Sequence, residues 1–187
     1  MPPSPRHPAL RVYLAGFSGS GKSTVGPVLA NALGFEFVDL DDEIERIAGV
    51  PIARLFRERG EQAFRSLERD TLREVSRRER IVVALGGGAL ADPSALAIVR
   101  EGGVLVYLRA PLHEIIRRMS RKEDRPLLLA PDGRRLSENL LRQRVSELLK
   151  IREPAYLTAD VTVDTSEGDF GKVVDHLTRA LSPLVAR

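Results

Sequence analysis

The sequence predicts a three-layer α/β/α fold in which helices cover both faces of a five-stranded parallel sheet. Short apolar runs alternate with segments of helical periodicity, and this alternation is typical of parallel sheets. With 187 residues, of which 43% are hydrophobic and 29% charged, the chain suits one globular domain. We expect residues 1–9, which are rich in proline, to form a flexible tail and residues 10–187 to form that domain.

Five short apolar runs are predicted to be the strands, and a continuous aliphatic run such as the third is typical of a strand covered on both faces. They are residues 11–15, 35–38, 81–85, 104–108 and 161–163. Segments whose apolar residues recur at helical spacing are predicted to be helices. They are residues 25–33, 44–48, 64–75, 93–100, 112–119 and 173–181, with a further short segment at 52–59. Gly34, Gly49 and Gly60 follow three of these segments, and Pro93 begins another.

Pro27 falls in the second turn of the first predicted helix. A proline there lacks the N–H group that would bond to the carbonyl of Ser23, and its ring crowds that carbonyl. The sequence therefore predicts a local kink near Pro27.

A glycine-rich segment between the first strand and the first helix matches the phosphate-binding pattern G-x-x-x-x-G-K-[ST]. Its glycines let the backbone curl so that several N–H groups converge on a phosphate, and the following helix adds the positive end of its dipole. Lys22 would reach the β- and γ-phosphates, and the Ser23 hydroxyl would ligate Mg²⁺. The predicted nucleotide-binding residues of this loop are Gly16, Ser18, Gly19, Ser20, Gly21, Lys22, Ser23 and Thr24.

Two further polar or glycine-rich positions follow predicted strands. Asp39 and Asp41 come after the second strand, and three glycines come after the third. Ligands of open α/β sheets bind beyond the carboxyl ends of the strands. One carboxylate could order water around Mg²⁺ while the other accepts a proton or a hydrogen bond from a hydroxyl, although Asp41 could instead only mark a helix start. Arg65 and Glu68 have a spacing that is common in surface ion pairs.

The segment over residues 120–135 is polar, basic and rich in turn formers. Two interpretations explain this composition equally well. One is a solvated surface loop, and the other is a mobile flap that brings an arginine to a transferring phosphate.

Composition excludes several classes of function. The chain has no cysteine, and therefore no disulfide, thiolate chemistry or cysteine metal site. The net charge is only +3, but the sequence pI of about 9.6 suits an anionic ligand. Aromatic residues make up 5% of the chain, with no tryptophan, and do not indicate a nucleic-acid stacking platform. The N-terminus has no apolar h-region, and glycines interrupt the most apolar stretch, so neither a signal peptide nor a membrane span is predicted. We expect a cytoplasmic enzyme or switch.

The chain resembles the shikimate kinases from about Leu10 to Asp164. The resemblance is carried by residues 16–24, 39–45, 60–68, 86–88, 125–128 and 152–156. The first stretch is shared with many kinases, whereas Asp-x-Asp, Phe-Arg-x-x-Glu and Gly-Gly-Gly in this order are much more specific. The fold that it implies is of the P-loop NTPase type, with a substrate-binding region over about 39–80 and a mobile lid over about 119–136.

This resemblance implies transfer of the ATP γ-phosphate to the 3-hydroxyl of shikimate, with Mg²⁺ as cofactor, giving shikimate 3-phosphate and ADP. The implied catalytic residues are Lys22, Asp41 and Arg125. The implied substrate-binding residues are Asp41, Arg65, Glu68, Gly86, Gly87, Gly88 and Arg152. Arg65 and Arg152 would clamp the substrate carboxylate, and Glu68 would orient Arg65. Arg125 would reach the transferring phosphate, Arg118 would lie against adenine, and Asp39 would hold Mg²⁺ through a water.

Two alternatives stay open at this point. A small-molecule kinase of the gluconate type explains the pairing of Arg65 with Arg152 and the three glycines less well. A non-catalytic ATP-binding module would bind ATP without needing Asp41. We expect a monomer whose partners are ATP and shikimate, not nucleic acid or a membrane.

Overall fold

The computed structural model describes residues 10–121, 128, 134–166 and 169–185. The tail predicted over residues 1–9 lies outside the described residues, as do Arg125 and most of the predicted lid. The domain boundaries predicted above stay predictions.

A five-stranded parallel sheet forms the middle layer, as predicted. The strands are β1 (Arg11–Ala15), β2 (Glu36–Asp39), β3 (Ile81–Ala84), β4 (Val104–Arg109) and β5 (Val161–Asp164). They lie in the order β2-β3-β1-β4-β5, and every neighbouring pair is parallel. Ala84 is paired with Leu14 on one side and with Asp39 on the other. The loops that follow β1, β2 and β3 therefore begin at the same edge of the sheet.

Helices cover both faces of the sheet. They are α1 (Lys22–Leu33), α2 (Leu40–Ala48), α3 (Ile52–Val75), α4 (Pro93–Gly102), α5 (Leu112–Ser120), α6 (Glu138–Tyr156) and α7 (Phe170–Leu181). Successive residues of β1 point to opposite faces. Tyr13 packs into a core with α2, α3 and α4, whereas Leu14 packs into a core with α1 and α7. A third apolar cluster joins α5 and α6 to Phe17 in the glycine-rich loop.

Helix α6 was missed by the sequence analysis. Only Leu141, Val145 and Tyr156 are fully buried in this 19-residue helix, while Leu140 and Ile151 are exposed. Its apolar periodicity is weak for that reason. Ser137, whose hydroxyl accepts a hydrogen bond from the Leu140 amide, is the helix-start signal that the sequence did offer.

Two features that concern helix continuity were predicted from glycine and proline positions. Gly60 has φ 79° and ψ 171°, which interrupts α3 and explains why the sequence predicts two separate segments there. Helix α1 runs from Lys22 to Leu33 with Pro27 inside it. The local kink near Pro27 stays a prediction. None of the described helices combines the length and the apolar content that a bilayer crossing requires.

Candidate active site

The loop between β1 and α1 has the backbone path that its glycines predict. Gly16, Gly19 and Gly21 have φ values of 142°, 90° and 108°, a region that other residues rarely adopt. A Cβ atom on Gly16 would lie 2.6 Å from the carbonyl oxygen of Leu108, so no side chain fits there. Within the loop, the Ser20 amide donates to Phe17 O at 3.0 Å. The loop is therefore built around close backbone approach, as a phosphate cradle requires.

Helix α1 begins immediately after this loop. Gly21 is its N-cap and provides no side-chain hydrogen bond, which leaves the first turn of α1 open to an anion. The Thr24 amide already bonds to Gly21 O at 3.0 Å. Lys22 Nζ donates to Gly16 O at 2.8 Å and to Phe17 O at 3.2 Å, so the ammonium group lies over the cradle.

Asp39 connects this loop to the end of β2. Its Oδ2 atom accepts a hydrogen bond from the Ser23 hydroxyl at 2.9 Å, and its Oδ1 atom accepts one from the Asp41 amide at 3.1 Å. Asp39 therefore caps α2 and also contacts the loop. The adjacent hydroxyl and carboxylate oxygens are hard ligands that fit Mg²⁺, an ion that is usually held by few protein atoms together with phosphate and water. No group of three or more His, Asp or Glu residues in the described ranges could hold a metal alone.

Gly86 lies between two carboxylates from different helices. A Cβ atom on this glycine would lie 2.8 Å from Asp41 Oδ1 and 2.9 Å from Glu68 Oε1. Any side chain at this position would displace one of them. The first turn of α2 and the middle of α3 thus meet at the end of β3, although Asp41 and Glu68 are far apart in sequence.

Gly87 and Gly88 lie beside the two arginines that the resemblance pairs. A Cβ atom on Gly88 would lie 2.9 Å from Arg65 Nη2, and one on Gly87 would lie 3.6 Å from Arg152 Nη1 and 3.4 Å from the Ser18 amide nitrogen. Arg65 from α3 and Arg152 from α6 therefore face one glycine segment, next to the phosphate-binding loop.

The Arg65–Glu68 pair is not a surface ion pair, so that interpretation is wrong. Arg65 Nη1 donates to Glu68 Oε2 at 2.6 Å, and Glu68 is only 3% exposed. Burial raises the pKa of Glu68, while the hydrogen bond from Arg65 opposes the rise. The buried carboxylate fixes the direction of the guanidinium, whose Cζ atom also lies 5.1 Å from the centre of the Phe64 ring.

The pKa of the Asp41 carboxyl is raised well above its ordinary value. Burial, followed by the negative charge of Asp39, raises its pKa from 3.8 to about 6. The Lys22 ammonium lowers the pKa and Glu68 raises it, with smaller effects. A carboxylate with a raised pKa at the edge of a binding loop is suited to accept a proton.

Arg118 is held against the phosphate-binding loop. Its guanidinium donates to Glu114 Oε1 at 2.8 Å, to Thr165 Oγ1 at 3.2 Å and to the Gly19 carbonyl at 3.4 Å. It also lies over the Phe170 ring, 5.4 Å from the ring centre. The predicted contact of Arg118 with adenine stays a prediction.

Glu114 and Thr165, which support Arg118, were missed by the sequence analysis. The hydrogen bond from Arg117 is the main reason that the pKa of Glu114 falls to about 2, and Arg118 contributes further. The Thr165 hydroxyl also donates to the Ser20 carbonyl at 2.9 Å. A carboxylate four residues before an arginine on a predicted helix was the available signal for Glu114. The sequence offered none for Thr165.

Comparison with known proteins gives a consistent result. The family model described as Shikimate kinase matches residues 18–182. The shikimate kinase of Chlorobaculum tepidum is 50% identical over 176 residues, which cover 94% of this chain and 92% of that protein. The structure of shikimate kinase from Acinetobacter baumannii in complex with shikimate has a TM-score of 0.84 and 35% identity, and the match covers 93% of each chain.

A gluconokinase from Sinorhizobium meliloti is also similar, with a TM-score of 0.61, 23% identity and coverage of 96% of this chain and 95% of that one. At this identity the likeness shows a shared fold alone. The family match over most of the chain and the 50% identity go further. The chain belongs to the shikimate kinase family.

Proposed function

We propose that this chain transfers the γ-phosphate of ATP to the 3-hydroxyl of shikimate, giving shikimate 3-phosphate and ADP. The observation that carries the proposal is the glycine segment over 86–88. Its first glycine adjoins Asp41 and Glu68, and the next two adjoin Arg152 and Arg65, beside the phosphate-binding loop. Acceptor and donor sites are therefore adjacent.

The two arginines suit the carboxylate of shikimate. A guanidinium group offers a planar fork that can give two parallel hydrogen bonds to a carboxylate. We assign this task to Arg65 and Arg152, helped by the amides of Gly87 and Gly88, with Glu68 fixing Arg65. The ring of the substrate would then extend toward Asp41, where the accepting hydroxyl would lie.

Phosphoryl transfer depends mainly on positioning and on neutralising charge. We assign the binding of the β- and γ-phosphates to the loop amides and to Lys22, which would leave its present carbonyl partners for them. Ser23 directly and Asp39 through water would hold Mg²⁺, which supplies positive charge to the phosphates when bound. Arg125 is proposed to reach the transferring phosphate from the lid, and it lies outside the described residues.

We assign to Asp41 the contact with the substrate hydroxyl that accepts the phosphate. Its carboxylate would orient the hydroxyl toward the γ-phosphate and take its proton as the oxygen–phosphorus bond forms. Protonated Asp41 cannot do this. The proposal therefore links turnover to the ionisation of one buried carboxyl group.

We expect kcat/KM for shikimate to fall as the pH drops through about 6, because the pKa of Asp41 before shikimate binds is raised to about that value. Above this pH the carboxylate is ionised and the rate should be level. The measurement is kcat/KM for shikimate against pH at saturating ATP, and the KM for ATP at each pH controls for protonation of the nucleotide. A kcat/KM for shikimate that does not change between pH 5 and pH 8 would contradict the role assigned to Asp41.

The substrate assignment is tested by ADP release in a coupled assay, with shikimate and with gluconate as the acceptor. We expect turnover with shikimate and only background ADP release with gluconate or with ATP alone. Turnover with gluconate but not with shikimate would show that the chain is a kinase of the gluconate type instead. ATP binding without turnover on either acceptor would instead support a non-catalytic module.

We also propose that the chain acts as a monomer in the cytoplasm, in one domain over residues 10–187, on small molecules rather than nucleic acid or membranes. The few aromatic residues give no stacking platform for bases. Light scattering of the purified protein would test the monomer.

A further inference from the structure

Tyr156 ends α6, four residues after Arg152, and its phenol group is almost completely enclosed. The side chain is 1% exposed, and its hydroxyl donates a hydrogen bond to the carbonyl oxygen of Gly87. Its ring packs against that of Tyr107, with 5.2 Å between the ring centres. The roles assigned so far to the substrate site use Arg152 and the glycines but leave this tyrosine without one.

A hydrogen bond to the Gly87 carbonyl oxygen holds the orientation of the whole peptide group between Gly87 and Gly88. Gly87 O and the N–H of Gly88 belong to the same planar trans peptide, so they point in opposite directions. Because glycine flanks that peptide on both sides, the backbone itself allows more than one orientation of the plane. A partner that holds the carbonyl therefore also decides where the Gly88 N–H points.

The direction of the Gly88 N–H matters because the groups around the glycine segment could bind a ligand. The Gly88 position lies beside Arg65, and the Gly87 position lies beside Arg152 and the Ser18 amide. Within the described part of the chain, the Gly88 amide makes no hydrogen bond to a protein acceptor. An N–H group turned away from Tyr156 is thus available to a ligand that lies between the two arginines.

We infer that Tyr156 is a positioning residue for the substrate carboxylate: its hydroxyl holds the Gly87–Gly88 peptide so that the Gly88 N–H faces the site formed by Arg65 and Arg152. The inference rests on the proposed function for the identity of that carboxylate, but not for the hydrogen bond itself. Without the hydroxyl, the peptide would be free to rotate and the partly buried Gly87 carbonyl would lose its partner.

The hydroxyl keeps its proton over the working range of pH. Burial raises the pKa of Tyr156 to about 12, although the Arg152 guanidinium works in the opposite direction. The group is therefore a hydrogen-bond donor to Gly87 throughout.

Tyr107 provides a matched control. It is also buried, at 2% exposed, and it packs on the same ring, but its hydroxyl donates to Glu153 Oε1 at 3.1 Å rather than to the glycine segment. Tyr156→Phe and Tyr107→Phe each remove one buried hydroxyl and keep the aromatic packing. Only the first should change the substrate site.

The first experiment compares steady-state kinetics of the wild type and the two variants. We expect Tyr156→Phe to raise the KM for shikimate about tenfold, the effect of losing one well-placed buried hydrogen bond, with the KM for ATP within about twofold. Tyr107→Phe should leave both constants within about twofold, and the melting temperature of each variant reports any general loss of stability. An unchanged KM for shikimate in Tyr156→Phe, or equal changes in both KM values, would overturn the inference.

The second experiment does not depend on the substrate. In protein labelled with ¹⁵N-glycine and free of ligand, we expect the Gly88 amide signal to shift, double or broaden in Tyr156→Phe and to stay in place in Tyr107→Phe. An unmoved Gly88 signal would overturn the inference whatever the kinetics. If the wild type fails to use shikimate but the signal moves as expected, the proposed substrate is wrong and the role of Tyr156 in holding the peptide stands.

Discussion

Asp41→Asn is expected to lower kcat by roughly 10²- to 10⁴-fold, the usual contribution of a positioned general base. The amide keeps the size of the carboxylate and can still contact the hydroxyl, but it cannot take the proton. Affinity for ATP should change little, because the phosphate cradle is formed by loop backbone and Lys22. Single-turnover kinetics with shikimate and equilibrium binding of ATP measure the two effects separately.

The neighbouring Asp42 supplies the control. It is exposed in the same turn of α2, and Asp42→Asn should keep kcat within about threefold. A normal kcat in Asp41→Asn would remove this carboxylate from the acceptor site, and an equal loss in both variants would indicate a general effect of charge on α2.

Stability should move in the opposite direction from activity in Asp41→Asn. The folded state raises the pKa of Asp41 from 3.8 to about 6, so ionisation of this group opposes folding. Its contribution is favourable below the unfolded pKa and is lost as the pH rises through about 6, and at pH 8 the cost is roughly 2–3 kcal/mol. The asparagine variant should therefore unfold at a higher urea concentration than the wild type at pH 8, and this difference should disappear near pH 4. A variant that is inactive because it is misfolded would instead be less stable.

The fold could be predicted from the sequence because the buried residues of its strands and of most helices recur with a regular period. The continuous aliphatic run of β3 and the helical spacing of apolar residues in α1 directly indicate which residues are buried. Helix α6 could not be found in this way, since few of its side chains are buried and these are divided between two apolar clusters, with Leu141 and Val145 in one and Tyr156 in the other.

The candidate site was predictable only in part. The loop pattern indicates a phosphate site from local sequence alone, because its glycines and Lys22 are close together in the chain. The meeting of Asp41, Glu68, Arg65 and Arg152 depends on which strands are neighbours, and periodicity does not encode that order. The resemblance to a family supplied the missing long-range information. The burial of Glu68 and the Glu114–Arg118–Thr165 contacts depend on packing that no local pattern reveals.

Arg65→Lys is expected to raise the KM for shikimate by roughly 10- to 100-fold, the loss of one or two charge-assisted hydrogen bonds. In the wild type, one guanidinium nitrogen donates to Glu68 at 2.6 Å, and the other adjoins Gly88 and makes a long contact of 3.4 Å with the exposed Glu61. A planar group can serve the buried carboxylate and the substrate at once. A lysine ammonium is one point of charge on a flexible stem, and the buried Glu68 would draw it away from the substrate.

Arg69→Lys tests whether the fork at Arg65 matters, rather than arginine on α3 in general. Arg69 lies one turn further along α3 and is also ion-paired, to Asp92 Oδ2 at 3.1 Å, outside the glycine segment. Its replacement should leave the KM for shikimate within about twofold, and neither variant should change the KM for ATP beyond that range. If Arg65→Lys binds shikimate as the wild type does, a second nitrogen is not needed, and the carboxylate must be held by Arg152 and the glycine amides alone.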